Sequence, residues 1–497
     1  MAEAGAVAGD ATTPPAWLRV VRRFRGPPEM NDIAGMTGRR RRQVGLAALA
    51  LLLTGCAGIQ QPAERSARQD LQTIRAHHRW EALTNALPEL TATSTLGDFL
   101  TFAMLNQPRV QAAYFDWAAS VERITVERSL PNPRLTFSLD IRDVVEAVMP
   151  GLMMDFPGPG KLRVRAEVAS AQSTASYFNF EASVLQAAFD VKKAYYQLHF
   201  LEDKILINRE TLRLLADLEK LARVQNEVGK VTLQDVLRAQ IEQDRMTTEL
   251  ANLEDSRNPL RAQLKAALGL LADRPDPPLP AQFDSTPVEI TSDQLFATAL
   301  ARNPRLRAME AELRMADAGI RLARKSKVPD FNAGLEADVL QSPVMFRPQA
   351  GMTLPIWRDK IVAEIAAAQA GQRSAQARLS AEQIALAVEF ADKLFTCRES
   401  GRNLELLRDR LIPKARQSLD VARSGYLSGQ IDFLNLMDAQ RALLGFQLAD
   451  VEARTQRELA LAELSLLILG LPPTGAPVLP PAASTPAKHP TAVHSPH

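Results

Sequence analysis

The sequence predicts a mainly α-helical fold with a small β part, in which one helix–β-hairpin–helix unit occurs twice. Two segments alternate apolar and polar residues as the strands of β-hairpins do. Between them, residues 161–227 contain neither glycine nor proline. The landmarks of the first half recur about 200 positions later in the second half. Together these observations predict long, coiled-coil-like helices on both sides of two hairpins.

The first predicted hairpin covers about residues 133–157. Its first strand alternates Leu135, Phe137, Leu139 and Ile141 with Arg134, Thr136, Ser138 and Asp140. This period of two residues is typical of a strand with one apolar face. Because a hairpin of two strands is not stable alone in water, it must join other strands.

A second hairpin is predicted at about residues 330–356, and no other pair of strands is apparent in the sequence. Pro131 and Pro157 bound the first hairpin and recur 198 positions later as Pro329 and Pro355. Four strands are too few for a closed barrel, because small barrels use about eight or more. Either the sheet stays open or several chains pool their strands.

Long helices are predicted around each hairpin. Residues 96–130 and 293–327 are expected to form the first helix of each repeat. The stretch 161–227 has no glycine or proline, and a helix of that length measures roughly 100 Å. Such a helix needs helical neighbours along its whole length. Later in the chain, Pro259 and Pro413 are expected to kink or interrupt their helices.

A glycine turn is predicted after each long helix. The first turn lies at about residues 229–235, where Gly229 ends one helix and Asp235 stands in the first turn of the next. The second turn, at about residues 425–435, contains Gly429, which lies 200 positions after Gly229. The two turns are therefore equivalent parts of the two repeats.

These landmarks divide the chain into six predicted segments. In order, they are an N-terminal extension with a lipoprotein signal (1–55), an extended segment (56–93), the first repeat (94–271), a linker (272–290), the second repeat (291–471) and a disordered proline-rich tail (472–497).

The region from Met36, the expected start of translation, has the layout of a secretory signal. After a basic run, the ten-residue apolar run Val44–Leu53 is too short to span a bilayer. The following Leu53-Thr54-Gly55-Cys56 resembles a bacterial lipobox, which would make Cys56 the lipid-modified first residue of the mature chain. The alternative is a short buried helix with an incidental cysteine. One acyl chain binds a membrane only marginally, so a further anchor is expected.

Composition and motifs argue against several function classes. The 59 basic and 57 acidic residues nearly balance, which argues against a nucleic-acid-binding surface, and two cysteines make a disulfide framework unexpected. Gly158-Pro159-Gly160-Lys161 lacks the spacing and the hydroxyl residue of a phosphate-binding loop. The histidines are not at metal-ligand spacings on a predicted element, and no catalytic constellation stands out. We therefore expect no enzyme activity, no cofactor and no metal site.

The order of these features resembles the TolC-type outer-membrane efflux proteins over roughly residues 94–471. The resemblance rests on the duplicated hairpin unit, on Asn303-Pro304-Arg305 before a helix, on the turn from Tyr426 through Gly429 to Asp438-Ala439-Gln440, and on the lipobox. Each motif is weak alone, whereas their duplicated order at nearly constant spacing is specific.

The resemblance implies a homotrimer in the cell outer membrane, lipid-anchored and extending into the periplasm. Four strands from each chain would form a twelve-stranded β-barrel, and the long helices would continue it as an α-barrel. Such a channel is a passive duct for metal ions or drugs, which works with a periplasmic adaptor protein and an inner-membrane pump. The hairpin entry at Pro131-Asn132-Pro133 and the exit at Gly158-Pro159-Gly160-Lys161 resemble the heavy-metal branch most.

The alternative function is a structural coiled-coil lipoprotein that tethers the cell envelope. A tether needs no strands with one apolar and one polar face. The two hairpins therefore favour the channel.

The resemblance also implies that the helix turns pack into a closed periplasmic end where the adaptor docks. Asp235, Asp432 and Asp438 lie at or one turn beyond the two turns. In a trimer each would form a ring of three carboxylates, which attracts cations and repels anions. The alternative is that they are ordinary helix-start acids favoured by the helix dipole. Asn435 stands where the family pattern often has an acid.

Overall fold

The structure is a computed structural model that describes residues 60–78, 89–91, 93–141, 145–278 and 292–467. These residues form long α-helices and one four-stranded antiparallel sheet, which confirms the predicted fold class. The expected start at Met36, the lipobox with Cys56 and the proline-rich tail 472–497 lie outside the described residues.

The elements follow the duplicated plan. In the described ranges the helices are α1 (Pro62–His78), α2 (Leu96–Asn106), α3 (Pro108–Arg128), α4 (Lys161–Glu227), α5 (Leu233–Asp255), α6 (Arg257–Ala267), α7 (Ser292–Arg302), α8 (Pro304–Arg324), α9 (Arg358–Leu406), α10 (Ile412–Leu427) and α11 (Phe433–Leu467). The strands are β1 (Arg134–Ile141), β2 (Val145–Phe156), β3 (Phe331–Asp338) and β4 (Met345–Met352).

Helix α1 corrects the expectation of an extended segment over residues 56–93. Its apolar residues Ala67, Leu71 and Ile74 follow one another at intervals of four and three and pack into the main core. This spacing is helical. Three apolar side chains among polar neighbours gave too weak a signal for the sequence to reveal the helix.

The first predicted helix of each repeat is in fact two helices. Gln107 separates α2 from α3, and Asn303 separates α7 from α8; both residues have non-helical backbone angles. Each precedes a proline, and the proline ring disfavours the helical conformation of the residue before it. The expectation of one helix over 96–130 is therefore wrong at Gln107. The expected helix over 293–327 is divided at Asn303, in agreement with the motif Asn303-Pro304-Arg305 standing before a helix.

The same two residues connect the beginning of each repeat to its end. The side-chain amide of Gln107 donates to the carbonyl oxygens of Ala266 and Ala267, both at 2.9 Å, at the end of α6. The amide of Asn303 donates to the carbonyl oxygen of Leu467, at 3.2 Å, at the end of α11. These bonds satisfy carbonyl groups that a helix end leaves without an intrahelical partner.

The two hairpins form one sheet in the order β1-β2-β3-β4, with β2 of the first repeat paired to β3 of the second. This confirms that neither hairpin stands alone. In the part of the chain that the structure describes, the sheet is open, and β1 and β4 are its edges.

The long helices agree closely with the sequence. Helix α4 covers the predicted stretch as a single helix of 67 residues. The expected proline effects are present, although each break begins before its proline. Pro259 has no N–H for the carbonyl of Asp255, and the helix is interrupted at Ser256. A π-helical turn, Leu407–Leu411, lies just before Pro413.

Two buried regions are important for the site. The main core is centred on α2, α3 and α4 and contains the aromatic side chains Phe99, Trp117 and Phe180. A second core lies at the glycine turns and combines Ala222 and Val236 of the first repeat with residues of α10 and α11, including Tyr426, Phe433 and Leu436. The two turns therefore lie together at one end of the helices.

Candidate functional site

One face of the sheet is apolar across all four strands. Leu135 lies opposite Leu152, Leu152 opposite Leu335, and Leu335 opposite Pro348. Directly opposed residues share a face of the sheet, so this row belongs to one surface. Phe137 belongs to the same surface and is 69% exposed, and Leu135 is 66% exposed. This is the face that the sequence alternation predicted to be apolar.

The opposite face carries most of the polar side chains of the sheet, together with Met149, Met153 and Met345. Thr136, Gly151, Glu336 and Arg347 form the neighbouring row. Its contacts include the hydrogen bond from Ser138 to Glu336 (3.3 Å) and the ion pairs Arg134–Asp155 (2.6 Å) and Arg347–Asp338 (3.6 Å). One surface of the sheet thus suits hydrocarbon and the other suits water.

A glycine-rich junction connects the sheet to the long helices. The carboxylate oxygen Oδ1 of Asp330 accepts from the backbone N–H of Gly158 at 2.6 Å and from Lys161 Nζ at 2.7 Å. A Cβ at position 158 would lie 2.4 Å from the carbonyl oxygen of Pro329, so only glycine fits there. The segment from Gly158 to Lys161 is therefore a structural junction between β2 and α4.

The glycine turns at the other end of the helices have the same backbone geometry. Gly229 and Gly429 have φ angles of +75° and +77°, which glycine adopts without strain. In both turns the next residue donates its N–H to a carbonyl of the preceding helix, as in a Schellman motif. The predicted turn glycines thus end α4 and α10.

Asp235 stands in the first turn of α5, as the sequence predicted. One of its carboxylate oxygens lies 3.7 Å from Nη1 of Arg238, and its side chain is largely covered. Burial, and to a smaller extent the charge of Asp235, raises the pKa of Tyr426 to about 12. Asp235 therefore faces the shared core of the two turns rather than open solvent.

Asp432 and Asp438 lie in different surroundings. The side chain of Asp432 accepts from the backbone N–H of Asn435 at 3.0 Å, which is the bond of a helix N-cap. The side chain of Asp438 is 59% exposed and lies 3.3 Å from Nη1 of Arg441. Arg441 also forms an ion pair with Glu242 of α5. One arginine thus links the two helix pairs at the turn end.

The sequence did not reveal the partners at this end. Glu219 forms an ion pair with Arg223 and accepts from Gln240 at 3.2 Å, whereas the Oε1 atom of buried Gln440 has no hydrogen-bond partner among the described residues. The equivalence of Gln240 and Gln440 was visible from the spacing. Which residues they contact depends on how the helices align.

A family model described as outer membrane efflux protein matches residues 100–270 and 295–470. The chain belongs to this family. The two matched stretches correspond to the two repeats, and together they cover most of the chain.

Individual relatives agree with this membership. The cobalt-zinc-cadmium resistance protein CzcC of Cupriavidus metallidurans is 23% identical over 71% of this chain and 85% of its own length. The pyoverdine export outer membrane protein OpmQ of Pseudomonas putida is 24% identical over 62% of this chain and 66% of its own length. The crystal structure of the Campylobacter jejuni CmeC outer membrane channel has the same fold, with a TM-score of 0.66 and 13% identity over 79% of this chain and 91% of that chain.

The protein is thus an outer-membrane channel component of an efflux system and not an enzyme. Channels of this family work in tripartite efflux systems. No helix in the described ranges is long and apolar enough to cross a bilayer.

Proposed function

We propose that three copies of the chain form a passive export duct, to which each copy contributes four strands of a twelve-stranded barrel. The observation that supports this most directly is the sheet, which has one continuous apolar face and whose edge strands β1 and β4 pair on one side only among the described residues. Such edges are templates for pairing with another strand. Pairing β1 of one copy with β4 of the next turns the apolar face to lipid and the polar face to a lumen.

The helices extend the duct away from the membrane. At 1.5 Å per residue, the single helix α4 is roughly 100 Å long, and the glycine turns lie at its far end. A duct of this kind performs no chemistry on its substrate. The energy comes from an inner-membrane pump, and a periplasmic adaptor protein joins that pump to the turn end.

The turn end is the proposed gate. Arg441 contacts both Asp438 and Glu242, so it holds α11 and α5 together. A partner protein that binds more tightly when α11 and α5 are separated would shift the gate toward the open state. Asp235 and Asp432 are also gate candidates, although Arg238 lies beside the first and the second already caps α11.

We infer that the substrate class is metal cations. CzcC, whose name refers to resistance to cobalt, zinc and cadmium, is matched over 85% of its length. In a trimer, each exposed Asp438 would contribute to a ring of three carboxylates that attracts cations. The match to OpmQ, a pyoverdine export protein, makes an organic metal chelator the second candidate.

Two experiments test these proposals. In native mass spectrometry the purified protein should be a trimer, and in a planar bilayer it should conduct ions. A monomer without conductance would support the envelope tether instead. Deleting the gene should raise cell-associated cobalt, zinc or cadmium under metal stress. If metal levels stay unchanged and only chelator secretion falls, the organic substrate is favoured.

Lipidation of Cys56 is the proposed second membrane attachment. It is supported by the lipobox and by the expected start at Met36. Mass spectrometry of the mature protein should find an acylated Cys56 as the first residue. An intact and unmodified residue 1 would contradict both the start and the lipid.

A further inference from the structure

We infer that a group of arginines beside the sheet binds the phosphate groups of anionic phospholipids. This group, the arginine patch, consists of Arg65 on α1, Arg163 on α4, and Arg321 and Arg324 on α8. The inference rests on the proposed position of the sheet in the membrane. It adds a class of lipid partner that the duct itself does not require.

Three helices bring the patch together. The carboxylate of Glu167 lies 3.3 Å from Nε of Arg163 and 3.0 Å from Nη2 of Arg321, so two guanidinium groups flank one acid. The side chain of Gln61 donates to the carbonyl oxygen of Arg163 at 3.2 Å. This bond brings the beginning of α1, with Arg65 one turn later, to the same place.

The patch has an excess of positive charge. Glu167 offsets one of its four arginines, and Arg65 and Arg324 are exposed and form no ion pair with the other described residues. The Arg163 side chain is 78% exposed. Guanidinium groups are always protonated at physiological pH, and their planar array of N–H donors matches the oxygens of a phosphate group.

The positions of Arg163 and Arg324 in the sequence place the arginine patch at the edge of the apolar face of the sheet. Phe156 and Phe331 are paired and end the apolar face of β2 and β3 on the helix side. Arg163 follows Phe156 by seven residues, and Arg324 precedes Phe331 by seven. In membrane barrels aromatic side chains lie at the interface, and basic side chains just beyond it are attracted to anionic lipids.

The beginning of α1 lies beside the patch. Gln61 contacts the same turn of α4 that carries Arg163. The proposed lipidated residue, Cys56, precedes Gln61 by five residues, which span at most roughly 18 Å. A lipid anchor on Cys56 would therefore be attached to the chain within this reach of Gln61.

The test compares two triple variants that lose equal charge. The patch variant carries Arg65→Gln, Arg163→Gln and Arg324→Gln. The control variant carries Arg373→Gln, Arg378→Gln and Arg398→Gln, which replace exposed arginines of α9 that form no ion pair with other described residues. Each protein is titrated in detergent with phosphatidylglycerol and, separately, with phosphatidylethanolamine. Native mass spectrometry counts the bound lipids.

The wild type and the control should retain phosphatidylglycerol in preference to phosphatidylethanolamine. The patch variant should bind phosphatidylglycerol at least about tenfold more weakly, because each basic residue near an anionic surface contributes several-fold to binding. A third variant with lysine at the three patch positions keeps the charge and should keep most of the affinity. This result separates loss of charge from misfolding.

Equal lipid affinity in the patch and control variants would overturn the inference. A changed ion selectivity in a planar bilayer, with unchanged lipid binding, would also overturn it, because the arginines would then line the lumen. The duct is judged separately by whether the wild type is a trimer. A trimeric wild type without lipid preference would refute the patch alone, whereas a monomeric wild type without conductance would refute the duct.

Discussion

The two repeats share a plan but differ in how they are packed. In the first, α4 runs for 67 residues without a break and packs on a core in which Trp117 stacks on Phe180, with ring centroids 5.9 Å apart. In the second, a π-helical turn before Pro413 divides the corresponding helix, and Ile384 and Val388 of α9 are exposed. The shared plan therefore depends on a few recurring signals, while the side-chain contacts of each repeat have diverged.

The divergence is clearest in the polar contacts at the turns. In the first repeat Gln240 donates to Glu219. In the second, Leu419 stands 200 positions after Glu219, and the buried Oε1 of Gln440 has no hydrogen-bond partner in the described chain. A buried and unsatisfied acceptor costs about 1–3 kcal/mol. At the turn end, the glutamine of the second repeat therefore leaves a buried acceptor without a hydrogen bond, whereas the glutamine of the first repeat donates one.

The largest expected effect concerns the apolar face of the sheet. It tests whether the strands of both repeats face lipid in the proposed barrel. Phe137→Arg and its counterpart Leu335→Arg place a charge on the apolar face, and each should destabilise the assembled protein by about 2–4 kcal/mol if the position lies near mid-membrane. Ser138→Arg, on the polar face, should cost much less. The measurement is the thermal dissociation of the trimer in detergent. Equal sensitivity at Phe137 and Ser138 would refute the barrel.

A second prediction compares two lysines that lie 201 positions apart. Lys192 is 5% exposed, and its described polar contact is a 3.4 Å hydrogen bond to Ser465, whereas Lys393 forms an ion pair with Glu463 at 2.8 Å. Burial lowers the pKa of Lys192 to about 8 from its usual 10.5. The bond to Glu463 raises the pKa of Lys393.

The sign of the Lys192 effect follows from proton binding. Between pH 8 and 10.5 the unfolded chain holds more protons at this residue, so stability rises with pH across that window. Lys192→Met should raise the free energy of unfolding at pH 7 by up to about 3 kcal/mol, because the cost of a buried charge disappears. The gain should shrink as pH rises through the window. Lys393→Met should instead lower stability, by up to about 1 kcal/mol.

Thermal melts at pH 7 and pH 10 check this pair. A lower melting temperature for Lys192→Met at pH 7 would mean that Lys192 forms a favourable contact in the assembly. The predicted contrast between a destabilising Lys192 in the first repeat and a stabilising Lys393 in the second would then be wrong.

A third prediction concerns the bonds that connect the beginning of each repeat to its end. Gln107→Ala removes two hydrogen bonds to carbonyl groups at the end of α6. Asn303→Ala removes the bond to Leu467 and the cap on the N–H of Arg305. Each should cost about 1–2 kcal/mol, because buried carbonyl groups or a helix start lose a partner. Gln107→Glu places a carboxylate against the two carbonyl oxygens in a buried site, so in a melt it should cost more than Gln107→Ala. Asn303→Asp does the same toward Leu467 but keeps an oxygen that can accept from the N–H of Arg305.

The plan of the repeats could be predicted from the sequence because its signals are local. The alternation from Leu135 to Leu139 identified a strand, the absence of breakers identified α4, and Gly229 and Gly429 marked the turns. Each of these signals depends on backbone preferences within a few residues.

The remaining features depend on tertiary packing. The ion pair of Arg441 with Glu242 joins residues 199 positions apart and depends on the alignment of α5 with α11. The sequence indicated that each hairpin must join other strands, but neither the pairing of β2 with β3 nor its register was predicted. The break at Gln107 had a local signal that could have found it, namely the proline that follows, which is the same signal as in the motif Asn303-Pro304-Arg305.

The smallest effect on stability concerns a position where the repeats carry opposite charge. Asp438 in the second repeat corresponds to Arg238 in the first, 200 positions earlier. The pair of Asp438 with Arg441 is exposed and is worth at most about 1 kcal/mol. Asp438→Ala should therefore leave the melting temperature nearly unchanged. Its effect should appear in transport, where removing three carboxylates from a trimer changes the field at the gate.

In a planar bilayer, Asp438→Ala should raise the conductance of the isolated trimer or reduce its preference for cations. A higher conductance would follow if Arg441, no longer held by Asp438, also loosened its contact with Glu242 of α5. Asp432→Ala tests the other gate candidate on this turn, and it also removes the N-cap of α11 at a cost of about 1 kcal/mol. If both variants, singly and together, leave conductance and selectivity unchanged, the aspartates are helix-start residues only. The gate must then be formed by other side chains, with the buried amide of Gln440 the first to examine.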